Sequence, residues 1–313
     1  KSPEASGIFA EDVKLWVRRQ QVVDEINTLH TNTQYADGAM IPSNVLATAS
    51  IADAVGGASV VVLAVPHQFL DAVLPEIREN LAPGAQVVSL IKGFAFDQSS
   101  GDIGPLSASL SRDLGGAEVS ALMGPTIYSE MLQDQFAEAT IGYRVGNEVG
   151  ASLLHKLFST PTFAVTLSSD LMGVELCGGL KNCITLGCGF CVGLGLGMNT
   201  KSALMRAGQQ EIVRLCRQFF SSVSETTFSE ACGIGDLILS CSVGRGQRLA
   251  AAFVKADPKK SWEELEDEIL QGQKIPDWHN IKEVHIFLEG RKALDEYPLI
   301  KAIYEIAYDG AEA

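Results

Sequence analysis

The spacing of apolar residues changes character about halfway along the chain. Val13 to Val17 predicts a short strand, and helical spacing follows over 18–26 before a polar loop. After a brief helix at 50–55, Ser59-Val-Val-Val-Leu-Ala-Val65 is a continuous β-branched run of the kind buried on both faces of a parallel sheet, ended by Pro66. A helix over 67–81 leads through Pro83-Gly84 to a second such run at 86–91, and strand, helix and strand of this length form a right-handed crossover unit. Strands are expected at 119–123 and 138–143, with helices near 128–135 and at 150–159. Alternating β and α elements with buried strands predict a doubly wound, Rossmann-like α/β domain over 1–165.

From about residue 166 the strand pattern stops. Helices are predicted at 170–196, 200–220, 226–241, 245–256, 261–271, 279–289 and 298–308, so an all-α domain over 166–313 follows the α/β one. Ser261-Trp-Glu-Glu264 reads as a capping box that satisfies the free N–H groups of a first helical turn.

The chain has 313 residues and a net charge of −14, which repels nucleic acid and anionic membranes at long range. An anionic substrate must then be met by a local cluster of Lys and Arg. The seven cysteines, all between Cys177 and Cys241, read as small core residues of a reducing compartment. Cys188-Gly-Phe-Cys191 matches CxxC but lacks a second ligand pair, so no metal is expected. The opening Lys-Ser-Pro-Glu-Ala-Ser-Gly shows no apolar signal core, and a cytoplasmic protein is expected. The uncharged run from Asn182 to Met198 is too short and too rich in glycine for a membrane span. That same run offers a face for a second copy, and a homodimer is expected.

Lys181 stands alone in this nearly uncharged stretch. A lysine withdrawn from water pays to stay protonated, which moves its pKa toward the range where it can exchange a proton at neutral pH. The plainer reading is a core lysine whose amine reaches the surface along its stem. Asp236, between glycine and aliphatics in Gly235-Asp-Leu-Ile-Leu239, needs a cationic partner, for which Lys181 is the economical candidate. Arg245, flanked by glycines at a predicted helix start, has the fork geometry and free backbone N–H groups that suit a phosphate. Pro66-His-Gln-Phe69 and Lys92-Gly-Phe94 follow two predicted parallel strands, where ligands sit in open sheets. Gly193-Leu-Gly-Leu-Gly197 lacks dinucleotide spacing and suggests close helix packing.

Taken in order, Val65-Pro-His-Gln-Phe69, Ser89-Leu-Ile-Lys-Gly93, Val174-Glu-Leu-Cys-Gly-Gly-Leu-Lys-Asn182, Gly193-Leu-Gly-Leu-Gly-Met-Asn-Thr200, Gly235-Asp-Leu237, Gly244-Arg245 and Gly272-Gln-Lys274 resemble the NAD-dependent glycerol-3-phosphate dehydrogenase family. The resemblance spans nearly the whole chain. It implies a Rossmann domain, a helical domain, and reversible hydride transfer between dihydroxyacetone phosphate and sn-glycerol 3-phosphate. It further implies Lys181 as general acid/base, Asp236 as the group that orients it, and Lys92 near the reacting centre. Asn182, Ser240, Arg245 and Lys92 fall at substrate positions, with Arg245 on the phosphate. Phe69, Lys92, Arg245 and Lys274 would line the cofactor, NAD.

Departures from the family bear on the expectation. No G-x-G-x-x-G turn precedes Val13, which implies a shortened chain or a segment missing from this sequence and a weakened grip on the cofactor. Gly246 stands where the family often has an asparagine, Pro276 replaces a common glutamine, and Ser240 a common threonine. Arg18 and Arg19 follow the first predicted strand in place of the carboxylate that would receive the ribose hydroxyls of NAD, so NADP is expected to be tolerated. Two other readings stay open: a reductase of the same two-domain type acting on a different 2-keto substrate, and an inactive relative serving as a binding or assembly module.

Overall fold

The computed structural model describes residues 7–33, 39–220 and 222–313; the opening polar residues 1–6 and part of the polar loop at 34–38 lie outside the described residues. In chain order the first half runs β1 (Val13–Trp16), α1 (Gln20–Leu29), β2 (Val45–Thr48), α2 (Ile51–Val55), β3 (Val60–Leu63), α3 (Leu70–Asn80) and β4 (Gln86–Ser89). A hairpin of β5 (Ala95–Asp97) and β6 (Asp102–Gly104) follows, then α4 (Leu106–Asp113), β7 (Glu118–Met123), α5 (Tyr128–Met131), β8 (Ala137–Gly142), α6 (Glu148–Phe158) and β9 (Phe163–Ser168). The second half is helical: α7 (Leu171–Gly193), α8 (Met198–Phe219), α9 (Asp236–Val243), α10 (Arg245–Lys255), α11 (Trp262–Leu270), α12 (Asp277–Gly290) and α13 (Pro298–Tyr304).

The strands form a five-stranded sheet of order β3-β4-β7-β8-β9 and a separate parallel pair, β1 with β2. β3, β4 and β7 run parallel, as the β-branched runs predict, whereas β7 and β8 are antiparallel. Val87 and Val88 of β4 are 0% exposed, which is the burial on both faces that such a run requires. The β1–β2 pair is held to α1 by Asn27, whose side chain donates to the Ala47 carbonyl and accepts from the Ala47 N–H. β9, whose Phe163, Val165 and Leu167 alternate, carries the sheet on to Ser168, past the point where the strand pattern is expected to stop. Three other features lack a clear apolar signature in the sequence: β2, the β5–β6 hairpin and α4. Each is short or carries Gly, Ser and Asp at positions where periodicity would show.

α7 is the axis of the second half. It is the described helix long and apolar enough to cross a bilayer, yet 89% of its most apolar window is buried inside the protein. Such a helix, apolar all round, belongs in a core. Its glycines let neighbours approach: a Cβ on Gly189 would stand 2.5 Å from the Ala250 Cβ, and one on Gly193 would stand 2.2 Å from Val254, both on α10. Gly195 serves a different purpose, since its φ of +73° turns the chain after α7 in a conformation other residues rarely adopt. Glu175, 2% exposed, ties α7 to the start of α4 by accepting from Ser107 N–H at 2.8 Å and from its hydroxyl. Burial outweighs those bonds and pushes its carboxyl up to about 7.

The segment 226–241 is not one helix. A 3₁₀ turn over Glu225–Ser229 and a π turn over Ala231–Gly235 precede α9, whose first residue is Asp236. A Cβ on Gly233 would meet the Phe228 carbonyl at 2.4 Å, so this close turn depends on glycine. The capping box forms at Ser261, which accepts from Glu264 N–H while the Glu264 carboxylate receives the Ser261 N–H.

Candidate active site

Three elements deliver the charged centre. β4 ends at Ser89 and its continuation carries Lys92; the buried face of α7 carries Lys181; the first turn of α9 carries Asp236 and, one turn on, Ser240. The Asp236 carboxylate, 1% exposed, bridges two ammonium groups: Lys181 Nζ lies 3.0 Å from Oδ1 and Lys92 Nζ lies 2.6 Å from Oδ2. Ser240 Oγ donates to Oδ1 at 3.2 Å and receives a short bond from Lys181 Nζ. Lys92 also donates to the Gly124 carbonyl at 3.2 Å.

Burial raises the cost of each charge here. For Asp236 it works against ionisation, but the ammonium groups of Lys181 and Lys92 prevail and hold the carboxyl below its usual range. Burial pushes Lys92 down to about 8, with Asp236 opposing it and Lys181 adding to it. An ammonium of that pKa exchanges its proton readily near neutral pH. Two cations on one carboxylate leave an excess positive charge in a low-dielectric setting, which suits an oxygen that gains negative charge.

Around this centre, Asn182 is 3% exposed and its Nδ2 has no hydrogen-bond partner among the described residues, a buried donor left free for an acceptor. Arg245 is exposed at the first position of α10 and donates to Gln273 Oε1 at 2.9 Å. Phe69, beyond β3, is 42% exposed. Gly93 lies between His67 and Asn280, within 4 Å of both for an added Cβ. Lys274 pairs with the buried Glu266 at 2.8 Å, and Glu266 also receives the Ile275 N–H and the Trp278 indole. Lys181, Asp236, Ser240 and Lys92 thus form one bonded cluster. No hydrogen bond among the described residues joins Phe69, Arg245 or Lys274 to it. Asp277, 6% exposed, precedes the helix that the sequence predicts from 279, whereas α12 starts two residues earlier, at Asp277 itself.

The arrangement fits a nicotinamide at the sheet edge of the site, since an exposed aromatic ring and a glycine flank the carboxyl ends of β3 and β4. Among known proteins, residues 5–148 match the family described as NAD-dependent glycerol-3-phosphate dehydrogenase N-terminus, and residues 170–313 match its C-terminus. The chain is 37% identical over 308 residues to the cytoplasmic NAD(+) glycerol-3-phosphate dehydrogenase of Rattus norvegicus, covering 96% of this chain and 86% of that one. It is 38% identical over 306 residues to the NAD(+) enzyme of Cuphea lanceolata, covering 96% of this chain and 81% of that protein. Among solved structures, the glycerol-3-phosphate dehydrogenase of Plasmodium falciparum superposes with a TM-score of 0.90 at 35% identity, covering 99% of this chain and 86% of that one. That of Dunaliella salina gives 0.92 at 33% identity over 97% of this chain, which spans 53% of the longer Dunaliella chain. Matched in both halves, the chain belongs to the NAD-dependent glycerol-3-phosphate dehydrogenase family.

Proposed function

We propose that this chain catalyses the reversible reduction of dihydroxyacetone phosphate to sn-glycerol 3-phosphate in the cytoplasm, as a homodimer. Residues 1–165 take up the dinucleotide and 166–313 hold the substrate and the proton donor. The observation that carries the reading is the buried Lys92–Asp236–Lys181 bridge with Ser240 beside it. NADH, when bound, supplies the hydride.

The protein's own groups do the rest. Lys181 gives a proton to the carbonyl oxygen in reduction and takes it back in oxidation, and Asp236 and Ser240 fix the direction of its Nζ. Lys92 holds a second positive charge beside that oxygen. The unpaired Asn182 Nδ2 donates to the substrate, and Arg245 grips the phosphate at the start of α10, where free backbone N–H groups add to the attraction. Phe69 and Lys274 face the cofactor together with Lys92 and Arg245.

Arg245→Leu tests the reading. With the fork removed, kcat/KM for dihydroxyacetone phosphate falls by about 100-fold, the worth of two charge-assisted hydrogen bonds, while that for unphosphorylated dihydroxyacetone changes little. Equal or absent effects on the two substrates would favour the related reductase of another 2-keto compound. Arg18 and Arg19 are exposed just past β1, with no carboxylate before Asp24. NADPH is therefore expected to support turnover within about tenfold of NADH, since a 2′-phosphate meets cations there. Steady-state rates with the two reduced cofactors decide it, and a strong preference for NADH overturns it.

A further inference from the structure

α12 begins with a carboxylate that the reaction above does not use. Asp277 is 6% exposed and follows Pro276 at the first helical position. Among the described residues no other residue donates a hydrogen bond to its carboxylate. The charges acting on it are Lys181 of α7, Arg245 of α10 and Lys92 beyond β4, which are the cations assigned above to the substrate. Burial outweighs all three and pushes its carboxyl up to about 6. A buried carboxylate so poorly paired costs stability, and polar groups of that kind concentrate where a ligand completes them.

Position 246 shows where the carboxylate lies. Gly246 follows Arg245 directly, and a Cβ built on it would stand 1.9 Å from Asp277 Oδ1 and 2.5 Å from its Cγ. The Asp277 carboxylate therefore fills the space into which any side chain at 246 would project, beside the residue assigned to the phosphate. This chain places glycine next to that arginine and brings a polar group to the same point from another helix.

We propose that Asp277 is a ligand-contacting residue of this site, whose carboxylate accepts a hydrogen bond from an N–H or O–H donor of the bound reactants. The proposal rests on the function given above. Two donors have the right chemistry, the free hydroxyl of the phosphorylated substrate and the carboxamide NH₂ of the cofactor.

The test is calorimetric titration of the whole protein and of Asp277→Ala and Asp277→Asn. One series uses NADH; the other uses dihydroxyacetone phosphate with the protein saturated in NAD⁺, so that no hydride moves. Thermal midpoints are measured in parallel. Asp277→Ala is expected to weaken at least one ligand tenfold or more, the loss expected of a bond to a charged acceptor. Asp277→Asn, which keeps an acceptor oxygen, is expected to stay within about fivefold of the unmodified protein. Neither midpoint falls, because a costly buried charge has been removed. Loss confined to the phosphate series identifies the substrate hydroxyl, and loss confined to NADH identifies the carboxamide. Unchanged binding in Asp277→Ala overturns the proposal, and so does weakened binding with a lowered midpoint in both variants, which marks a structural charge at a helix start. If the unmodified protein binds neither ligand, the proposed function itself falls.

Discussion

Replacing Lys181 by alanine is expected to leave the protein folded and to lower kcat by about 10³-fold or more. A positioned general acid contributes roughly 10² to 10⁴ in rate, and the lost charge beside the developing oxyanion adds to that. The fold survives because Asp236 is not orphaned: it keeps Lys92 at 2.6 Å and the Ser240 hydroxyl at 3.2 Å. The remaining cost is a cavity on α7 and one lost buried pair, about 1 to 3 kcal/mol. Thermal melting and steady-state kinetics on one preparation check both halves of the statement. A variant within tenfold of normal turnover would remove the proton from Lys181 and leave Lys92, whose pKa of about 8 makes it the next amine able to carry it.

That ambiguity marks where the sequence stops being informative. A lone lysine in an apolar helix and a lone aspartate among aliphatics each need a partner, and the cost of leaving either unpaired joins them across 55 residues of chain. Nothing comparable ties Lys92 to Asp236, 144 residues apart, because Lys92 follows a strand in a turn where a solvated lysine is ordinary. Long helices and β-branched strands are legible because periodicity repeats over their length. The π turn before Asp236 is not: glycine and alanine carry no face, and the conformation is set by the approach of Gly233 to the Phe228 carbonyl. Asp277 was hidden for a related reason. Its setting depends on the missing side chain at 246, a fact about the space between α10 and α12 that no local pattern records.

Asp236→Asn is expected to have the second large effect, and to strike stability and pH dependence together. The substitution keeps shape and removes the one carboxylate that bridges both ammonium groups, leaving Lys181, with a side chain 6% exposed, without its counter-charge. Breaking a buried pair from one side costs about 3 to 5 kcal/mol. The lower end is expected, because the Lys92 side chain is 25% exposed and can turn toward water. In a chain of this size that lowers the melting midpoint by roughly 5 °C. The sign of the pH effect follows from what Asp236 does to Lys92: it favours the charged form, against burial and against Lys181. Without it the Lys92 pKa drops below about 8, so the alkaline fall in kcat/KM moves to lower pH, and residual activity is greatest on the acid side. Adding Lys92→Met to Asp236→Asn removes one of the two uncompensated charges and recovers part of the lost stability, a non-additivity measurable by a double-mutant cycle. If instead the two substitutions destabilise additively, the bridge does not couple the lysines, and the excess charge proposed for the oxyanion site is not held there by Asp236.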